Sequence, residues 1–234
     1  TFFAFSDYAK PSLRLAAIGK IPAINIYSHD SLTVGEDGPT HQPIEQLNAL
    51  RLVPNLYVFR PTNLQECLYA LYFGLTKYTA PTVIATSRSA FEQHEAKSFD
   101  EVKRGAYFLK YAAGNKYSLL GTGSEVAICF EVAKILEKDY NFKVNIISAP
   151  CMEIFEEQEE EYKQKILKKP IITIEFGTTS YWYKYSKHPI GIDTFGKSAP
   201  EADLLKDFGL EPKEIALNIV EYLRLDKNSK KEKK

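Results

Sequence analysis

Six short runs rich in β-branched and apolar residues recur along the chain, at Pro22 to Tyr27, Leu56 to Phe59, Thr82 to Ala85, Tyr117 to Leu120, Val144 to Ile147 and Ile171 to Glu175. Each reads as a strand. Helix-like runs lie between them. The clearest is Asn63 to Tyr78, where Leu64, Cys67, Leu68, Leu71, Tyr72 and Leu75 fall at helical spacing and Asn63 with Glu66 can form a capping box. Ser124 opens a second helix whose stripe is Val126, Cys129, Phe130, Ala133 and Leu136; Leu210 to Leu225 supplies another after the stop signal Gly209, and Pro11 to Ile18 is amphipathic. Strands alternating with helices predict a mainly parallel sheet covered on both faces, so the expected class is α/β.

At 234 residues and 44% hydrophobic content the chain can bury a real core, and at roughly 100 to 200 residues per domain it holds one or two domains. The pattern breaks in the polar stretch Phe91 to Arg104, which favours two consecutive α/β units. The expected division is a first domain over residues 1–90, a linker over 91–110, a second domain over 111–226 and a Lys-rich, solvated tail over 227–234. The charged stretch Glu156 to Lys169 reads as a solvated helical face.

Charge and cysteine usage exclude several classes. Thirty basic and thirty acidic residues cancel, so no overall positive field favours nucleic acid or an anionic membrane. No apolar run approaches the length of about 20 residues that crosses a bilayer. Cys67, Cys129 and Cys151 are odd in number, far apart and set in apolar surroundings, which predicts buried thiols rather than disulfides. A cytoplasmic protein is expected, with a plastid location left open. The opening Thr1-Phe2-Phe3-Ala4-Phe5 has no initiator Met or basic leader and resembles the interior of a domain, so a fragment is expected.

Chemistry concentrates between Ser28 and Pro43, directly after the first strand. His29, His41, Asp30, Glu36 and Asp37 crowd this stretch, while Gly35, Gly38 and Pro39 fix its turns. His29, Asp37 and His41 are the candidate functional groups, because loops leaving a buried strand present reactive side chains on a fixed backbone. The two histidines lack the short spacing and cysteine partners of a zinc site. Glu36-Asp37-Gly38 superficially resembles a magnesium and diphosphate motif, but Glu36 cannot give the close backbone approach of a glycine there. Arg88 follows the strand Thr82 to Ala85, where its guanidinium fork suits a phosphate.

Phe2, Phe5 and Tyr8 repeat at spacing three; core packing and stacking on a flat heteroaromatic cofactor are both open to such a ladder. Gly121-Thr122-Gly123-Ser124-Glu125 joins a strand to a helix, either as an amide cradle for phosphate or as a tight turn capped by Ser124. His94 and His188 lie in polar contexts and are expected to be incidental.

Ser28-His29-Asp30 followed by GEDGPTHQP (Gly35 to Pro43) resembles the transketolases, in their pyrimidine-binding domain. The resemblance extends over TFFAFSDYAKPSLRLAA at the start, RPTN from Arg60, PTVIATSR ending at Arg88, GTGSEV from Gly121, SAPCMEIFEEQ from Ser148, SYWYKY from Ser180 and GIDTFGKSAP from Gly191. It implies a carboxyl-terminal piece of a thiamine diphosphate-dependent enzyme of the pentose phosphate pathway, which moves a two-carbon ketol unit from a ketose phosphate to an aldose phosphate. It further implies that Phe2, Phe5 and Tyr8 form the aromatic pocket for the aminopyrimidine, with Phe5 the stacking partner. His29 and Arg88 would contact the substrate phosphate, Asp37 the hydroxyl next to the aldehyde, and His41 the space beside the cofactor's reactive carbon. By the same resemblance the catalytic glutamate and the magnesium (or calcium) and diphosphate site belong to segments preceding Thr1. The enzyme would be a homodimer with its site at the subunit interface, sugar phosphates would be its substrates, and this piece alone would be inactive. The alternatives are a related thiamine enzyme such as deoxyxylulose-phosphate synthase, against which Ser28-His29-Asp30 argues, or a non-catalytic dimerisation or regulatory module.

Overall fold

The computed structural model of the chain describes residues 1–232, with side chains through residue 224. A 3-10 turn over Phe3–Phe5 leads into α1 (Ser6–Gly19), β1 (Ala23–Ser28), a 3-10 segment over Leu32–Asp37, α2 (Gln46–Arg51), β2 (Tyr57–Phe59), α3 (Leu64–Thr76) and β3 (Pro81–Thr86). These three strands form a wholly parallel sheet in the order β1-β3-β2. The chain continues through α4 (Phe99–Val102), β4 (Tyr107–Lys110), β5 (Tyr117–Gly121), α5 (Glu125–Tyr140), β6 (Val144–Ser148), α6 (Met152–Glu156), α7 (Glu160–Ile166) and β7 (Ile171–Ile174), then α8 (Glu201–Asp207) and α9 (Pro212–Glu232). The second sheet runs β4-β6-β5-β7, with β5, β6 and β7 parallel. The α/β class and the mainly parallel sheets are as the alternation of runs predicts.

Several local expectations need correction. The stretch 91–110, read as a linker, contains α4 and β4; β4 pairs antiparallel with β6 as an edge strand, with an irregularity between Phe108 and Lys110. Ser124 does not cap α5: at φ −62° and ψ −27° it already has helical backbone, and its hydroxyl donates to Glu125 Oε1 at 2.9 Å. Asn63 does cap α3, its Oδ1 accepting from the Glu66 amide at 2.9 Å, but Glu66 reaches back to the Thr62 amide and so the box is offset by one residue. The charged stretch from Glu156 to Lys169 is divided between the end of α6 and α7. Side chains of the Lys-rich stretch 227–234 lie outside the described residues, while its backbone continues α9 as far as Glu232.

Packing ties the two sheets together. One cluster, with Leu119, Cys129, Leu136, Ile146, Ile172 and Ile219, fills the space between the second sheet, α5 and α9. A second, with Phe3, Tyr27, Leu50, Val58 and Val83, underlies the first sheet. A third mixes Tyr57, Phe59 and Tyr69 with Tyr107, Cys151 and Ile154 from the other half of the chain. Fully burying one such side chain stabilises by roughly 1.5 to 3 kcal/mol, so this shared cluster opposes separation of the halves. Cys129 and Cys151 are buried free thiols as expected, whereas Cys67 is only half-buried.

Candidate active site at the carboxyl ends of the first sheet

In parallel sheets, ligands gather where the strands end. Ser28 of β1 pairs with Thr86 of β3, so the chain leaves both strands at one edge, with His29 directly after the first and Arg88 two positions beyond the second. On the other side of β1, the Ser28 amide donates to the Thr1 carbonyl at 3.0 Å and Phe2 bridges Ser28 in parallel register. That pairing lays the Phe2 ring on the His29 imidazole, centroids 3.7 Å apart and planes 13° from parallel. Phe2 also stacks with Phe5 at 6.2 Å, and the Phe5 and His41 rings meet in a T-shaped contact at 5.1 Å. Phe2, Phe5, His29 and His41 therefore converge. Tyr8 does not join them: it lies on α1, 86% exposed, its ring tilted at 6.2 Å from Phe5. Phe5 and Tyr8 line a cleft with Thr40, Gln42, Gln46 and Phe195.

The loop carrying these groups is not a solvated connection. Asp30 through Val34 are buried, and Gln42 Nε2 donates to the carbonyls of Gly35 at 2.8 Å and Lys197 at 2.9 Å. Gly38 needs its small size twice over, since its φ is +77° and an added Cβ would lie 3.2 Å from Ser198 Cβ. His29 itself has φ 61°, a left-handed backbone that costs a non-glycine residue about 1 to 2 kcal/mol. Asp37 ends the 3-10 segment and is exposed.

Electrostatics link His29 with Arg88 and Asp37. Burial lowers the His29 pKa first and the Arg88 charge lowers it further, while Asp37 and then Asp30 pull the other way. The imidazole is thus biased neutral but stands in the field of a guanidinium that an anion can share. His29 Nδ1 shares a hydrogen bond with Ser28 Oγ at 2.9 Å, and His41 Nδ1 shares one with Thr40 Oγ1 at 2.8 Å.

Sequence reasoning missed a buried ion cluster between the two sheets. Arg60 leaves β2 as Arg88 leaves β3, and that shared placement was the available signal. Its Nε donates to Asp30 Oδ2 at 2.8 Å, and its two Nη atoms meet both Glu125 oxygens. Thr122 Oγ1 accepts from Arg60 at 3.0 Å and donates to Glu175 Oε2 at 2.5 Å. Glu175 also takes a two-point pair from Arg51 and the Trp182 indole N–H at 2.8 Å. Opposed by burial but surrounded by carboxylates, Arg60 keeps its charge. The carboxyl end of the second sheet is therefore filled by arginines of the first. A Cβ on Gly123, whose φ is +52°, would lie 2.8 Å from Arg60 Nε, and the Gly123 amide donates to the Arg60 carbonyl. Of the two readings of the Gly121 turn, the structure shows a tight turn without the Ser124 cap, and Arg60 packs across it.

His94 and His188 are not loose surface groups: His94 stacks on Phe130 at 3.5 Å and His188 on Tyr222 at 4.1 Å. Among the described residues, no group of three or more His, Cys, Asp or Glu side chains could hold a metal ion, and no helix is long and apolar enough to cross a membrane.

Two family models match the chain. Residues 1–93 fit the transketolase pyrimidine-binding domain, and residues 105–211 fit the transketolase-like C-terminal domain. The chain belongs to the transketolase family. A transketolase of Dictyostelium discoideum is 41% identical over 220 residues, which are 90% of this chain and 33% of that protein. The transketolase structure from Campylobacter jejuni is 40% identical, covering 94% of this chain and 35% of that one with a TM-score of 0.89. Transketolase from Pichia stipitis, in complex with sedoheptulose 7-phosphate, is 33% identical with a TM-score of 0.93, over 97% of this chain and 34% of that one. The chain spans about a third of the length of the curated relatives it matches. The ion cluster joins the two transketolase domains, since Asp30, Arg51 and Arg60 lie in the first matched range, and Thr122, Glu125, Glu175 and Trp182 in the second.

Proposed function

We propose that these residues form the cofactor-ring and substrate-phosphate wall of a transketolase that transfers a two-carbon ketol unit between sugar phosphates. The observation that carries this reading is the convergence of Phe2, Phe5, His29 and His41 at the edge where Arg88 leaves the sheet. The Phe5 ring lining the cleft fits a flat heteroaromatic ring, as the aminopyrimidine of thiamine diphosphate is. When bound, that cofactor supplies the electron sink for cleaving a carbon–carbon bond beside a carbonyl.

The remaining chemistry falls to the chain's own side chains. His41, its Nδ1 engaged by Thr40, offers Nε2 to hold or move a proton at a substrate oxygen. His29 and Arg88 bind the phosphate, where a guanidinium fork and an imidazole give charge-assisted hydrogen bonds. Asp37 accepts from the hydroxyl next to the aldehyde and so selects sugar stereochemistry. Tyr8, exposed on α1, borders the ring pocket.

On this reading the metal and diphosphate ligands and the catalytic glutamate come from other parts of a transketolase, and the 234 residues alone transfer no ketol unit. The exposed stripe Leu64, Leu68, Leu71, Tyr72 and Leu75 along α3 supports the homodimer that the reading includes. Place in the pentose phosphate pathway and a cytoplasmic location belong to the same proposal. The test is a coupled ketol-transfer assay with thiamine diphosphate and magnesium, on this chain alone and combined with the remaining transketolase segments. Transfer is expected only in the combined sample, and its absence there contradicts the reading.

A further inference from the structure

Both proposed phosphate-binding residues are tethered to the second domain by separate polar chains. The first runs from Glu125 at the start of α5 through the Arg60 guanidinium to Asp30, the residue next to His29. Every member of that chain is buried, and Arg60 is fixed at both ends: its amide donates to the Pro150 carbonyl at 2.8 Å and its carbonyl accepts from Gly123 at 3.0 Å. The second runs from Glu201 on α8 to Ser89, whose hydroxyl donates to Glu201 Oε2 at 2.7 Å; Ser89 adjoins Arg88. A third contact of the same kind holds the Asp37 segment, where Ser198 Oγ donates to the Glu36 carbonyl at 2.5 Å.

Stability alone does not account for the Asp30 arm. Its other oxygen, Oδ1, is buried without a hydrogen-bond partner, which costs roughly 1 to 3 kcal/mol. The arm also ends on a residue with left-handed backbone, His29 at φ 61°, and strained backbone persists only where its surroundings over-determine it. A two-point guanidinium–carboxylate pair fixes direction as well as distance.

We propose that the second domain sets the geometry of the phosphate-binding pair, with Glu125 acting through Arg60 and Asp30 on His29, and Glu201 acting through Ser89 on Arg88. Glu125, Arg60, Asp30, Ser89 and Glu201 are positioning residues: each acts on the site through a neighbour. The inference rests on the proposed phosphate role of His29 and Arg88. It gives the second domain, whose own strand ends are filled by Arg51 and Arg60, a share in substrate recognition without a ligand of its own.

The test uses the full chain with inorganic phosphate as probe. With only four histidines, ring resonances of His29 can be followed by NMR, and the dissociation constant is read from its shift during phosphate titration. Glu125→Gln and, separately, Ser89→Ala are each expected to weaken phosphate binding roughly fivefold. Glu125→Gln should in addition move the free His29 resonance, whereas Ser89→Ala should leave it near its original position. Tyr57→Phe, which removes a different bond between the domains, to Glu157, serves as the control and should change neither. Thermal melts of all variants separate loss of fold from loss of site, and Ser89→Ala, a half-buried loop change, remains informative if Glu125→Gln does not fold. Folded variants that bind phosphate like the original chain overturn the inference, as does a control that weakens binding equally. If the original chain shows no phosphate response at His29, the functional reading fails, and the positioning of His29 is still decided by its free resonance in Glu125→Gln.

Discussion

Arg51 and Glu175, 124 positions apart, form a two-point ion pair shut off from water, with Nη1 to Oε1 at 2.7 Å and Nη2 to Oε2 at 2.8 Å. Arg51 lies on α2 beside the first sheet and Glu175 just past β7 of the second, so the pair closes the seam between the domains. The Arg51 guanidinium also rests 5.0 Å from the Trp182 ring and 5.2 Å from that of Tyr181. Removing Arg51 leaves the Glu175 charge buried with only the neutral donors Thr122 and Trp182 and the more distant Arg60 beside it, and breaking a buried pair from one side costs about 3 to 5 kcal/mol. Arg51→Leu should therefore lower the urea midpoint by that equivalent. Arg51→Leu with Glu175→Leu should recover a large part of it, and a double variant no more stable than the single one contradicts the assignment.

Acid should open the same seam. The Arg51 and Arg60 guanidiniums and the Thr122 hydroxyl overcome burial and hold the Glu175 carboxyl down at about 2, against an ordinary value of 4.5. A depressed carboxylate stabilises the fold fully above the unfolded pKa, and that contribution is lost as pH falls from about 4.5 toward about 2. The loss is on the order of 3 kcal/mol. Urea titrations at pH 7 and pH 3 should show a drop in stability that is smaller in Glu175→Gln; an equal drop in both removes Glu175 as its source.

Two glycines with positive φ separate backbone conformation from packing. Gly123 (φ +52°) has Arg60 Nε 2.8 Å from where a Cβ would stand, whereas Gly114 (φ +76°) has nothing within 4 Å. Gly114→Ala should cost about 1 kcal/mol for its backbone alone. Gly123→Ala adds displacement of a buried arginine and should cost roughly 2 to 4 kcal/mol. Equal melting temperatures for the two variants would show that Arg60 does not pack on Gly123.

Phosphate should raise the pKa of His29. Burial and Arg88 lower it in the free chain, and a bound anion favours the protonated ring. NMR titration of the His29 ring should show its midpoint move upward in millimolar inorganic phosphate, and the movement should shrink in Arg88→Ala. A midpoint indifferent to phosphate removes the anion-binding role.

Self-association should depend on the outer face of α3. Leu68 is 52% exposed and Leu75 66% exposed on that face. Under the proposed homodimer, the chain should scatter light as a dimer, and charging this face with Leu68→Lys and Leu75→Lys should shift the mass to the monomer while the circular dichroism spectrum stays unchanged. An unaltered mass places the subunit contact elsewhere.

The α/β class was legible because each buried strand is written as a local run, as in Val144 to Ile147. β4 was not, because four residues at an antiparallel edge, Tyr107 to Lys110, carry no period that a sequence window can detect. The converging rings were partly legible: Phe2 and Phe5 sit at regular spacing, but only the pairing of Ser28 with Thr1 reveals that Phe2 stacks on His29. The ion cluster was least legible. Arg51, Arg60, Glu125 and Glu175 are each ordinary surface residue types, and their burial follows from contacts between segments more than 60 positions apart. Gly123 shows the same limit, since the motif was visible but the side chain lying across it was not.

The bridge between Phe2 and Ser28 has a kinematic consequence. Residues 1 and 2 run beside β1 as an extra rung of the ladder, so the Phe2 ring and the His29 ring hang from a common support and travel as one piece. A motion of β1 that carries the paired opening segment with it would move the Phe2 ring and the His29 ring by the same amount. Their spacing is thus gauged by the pitch of a β-sheet, a length that thermal motion changes very little.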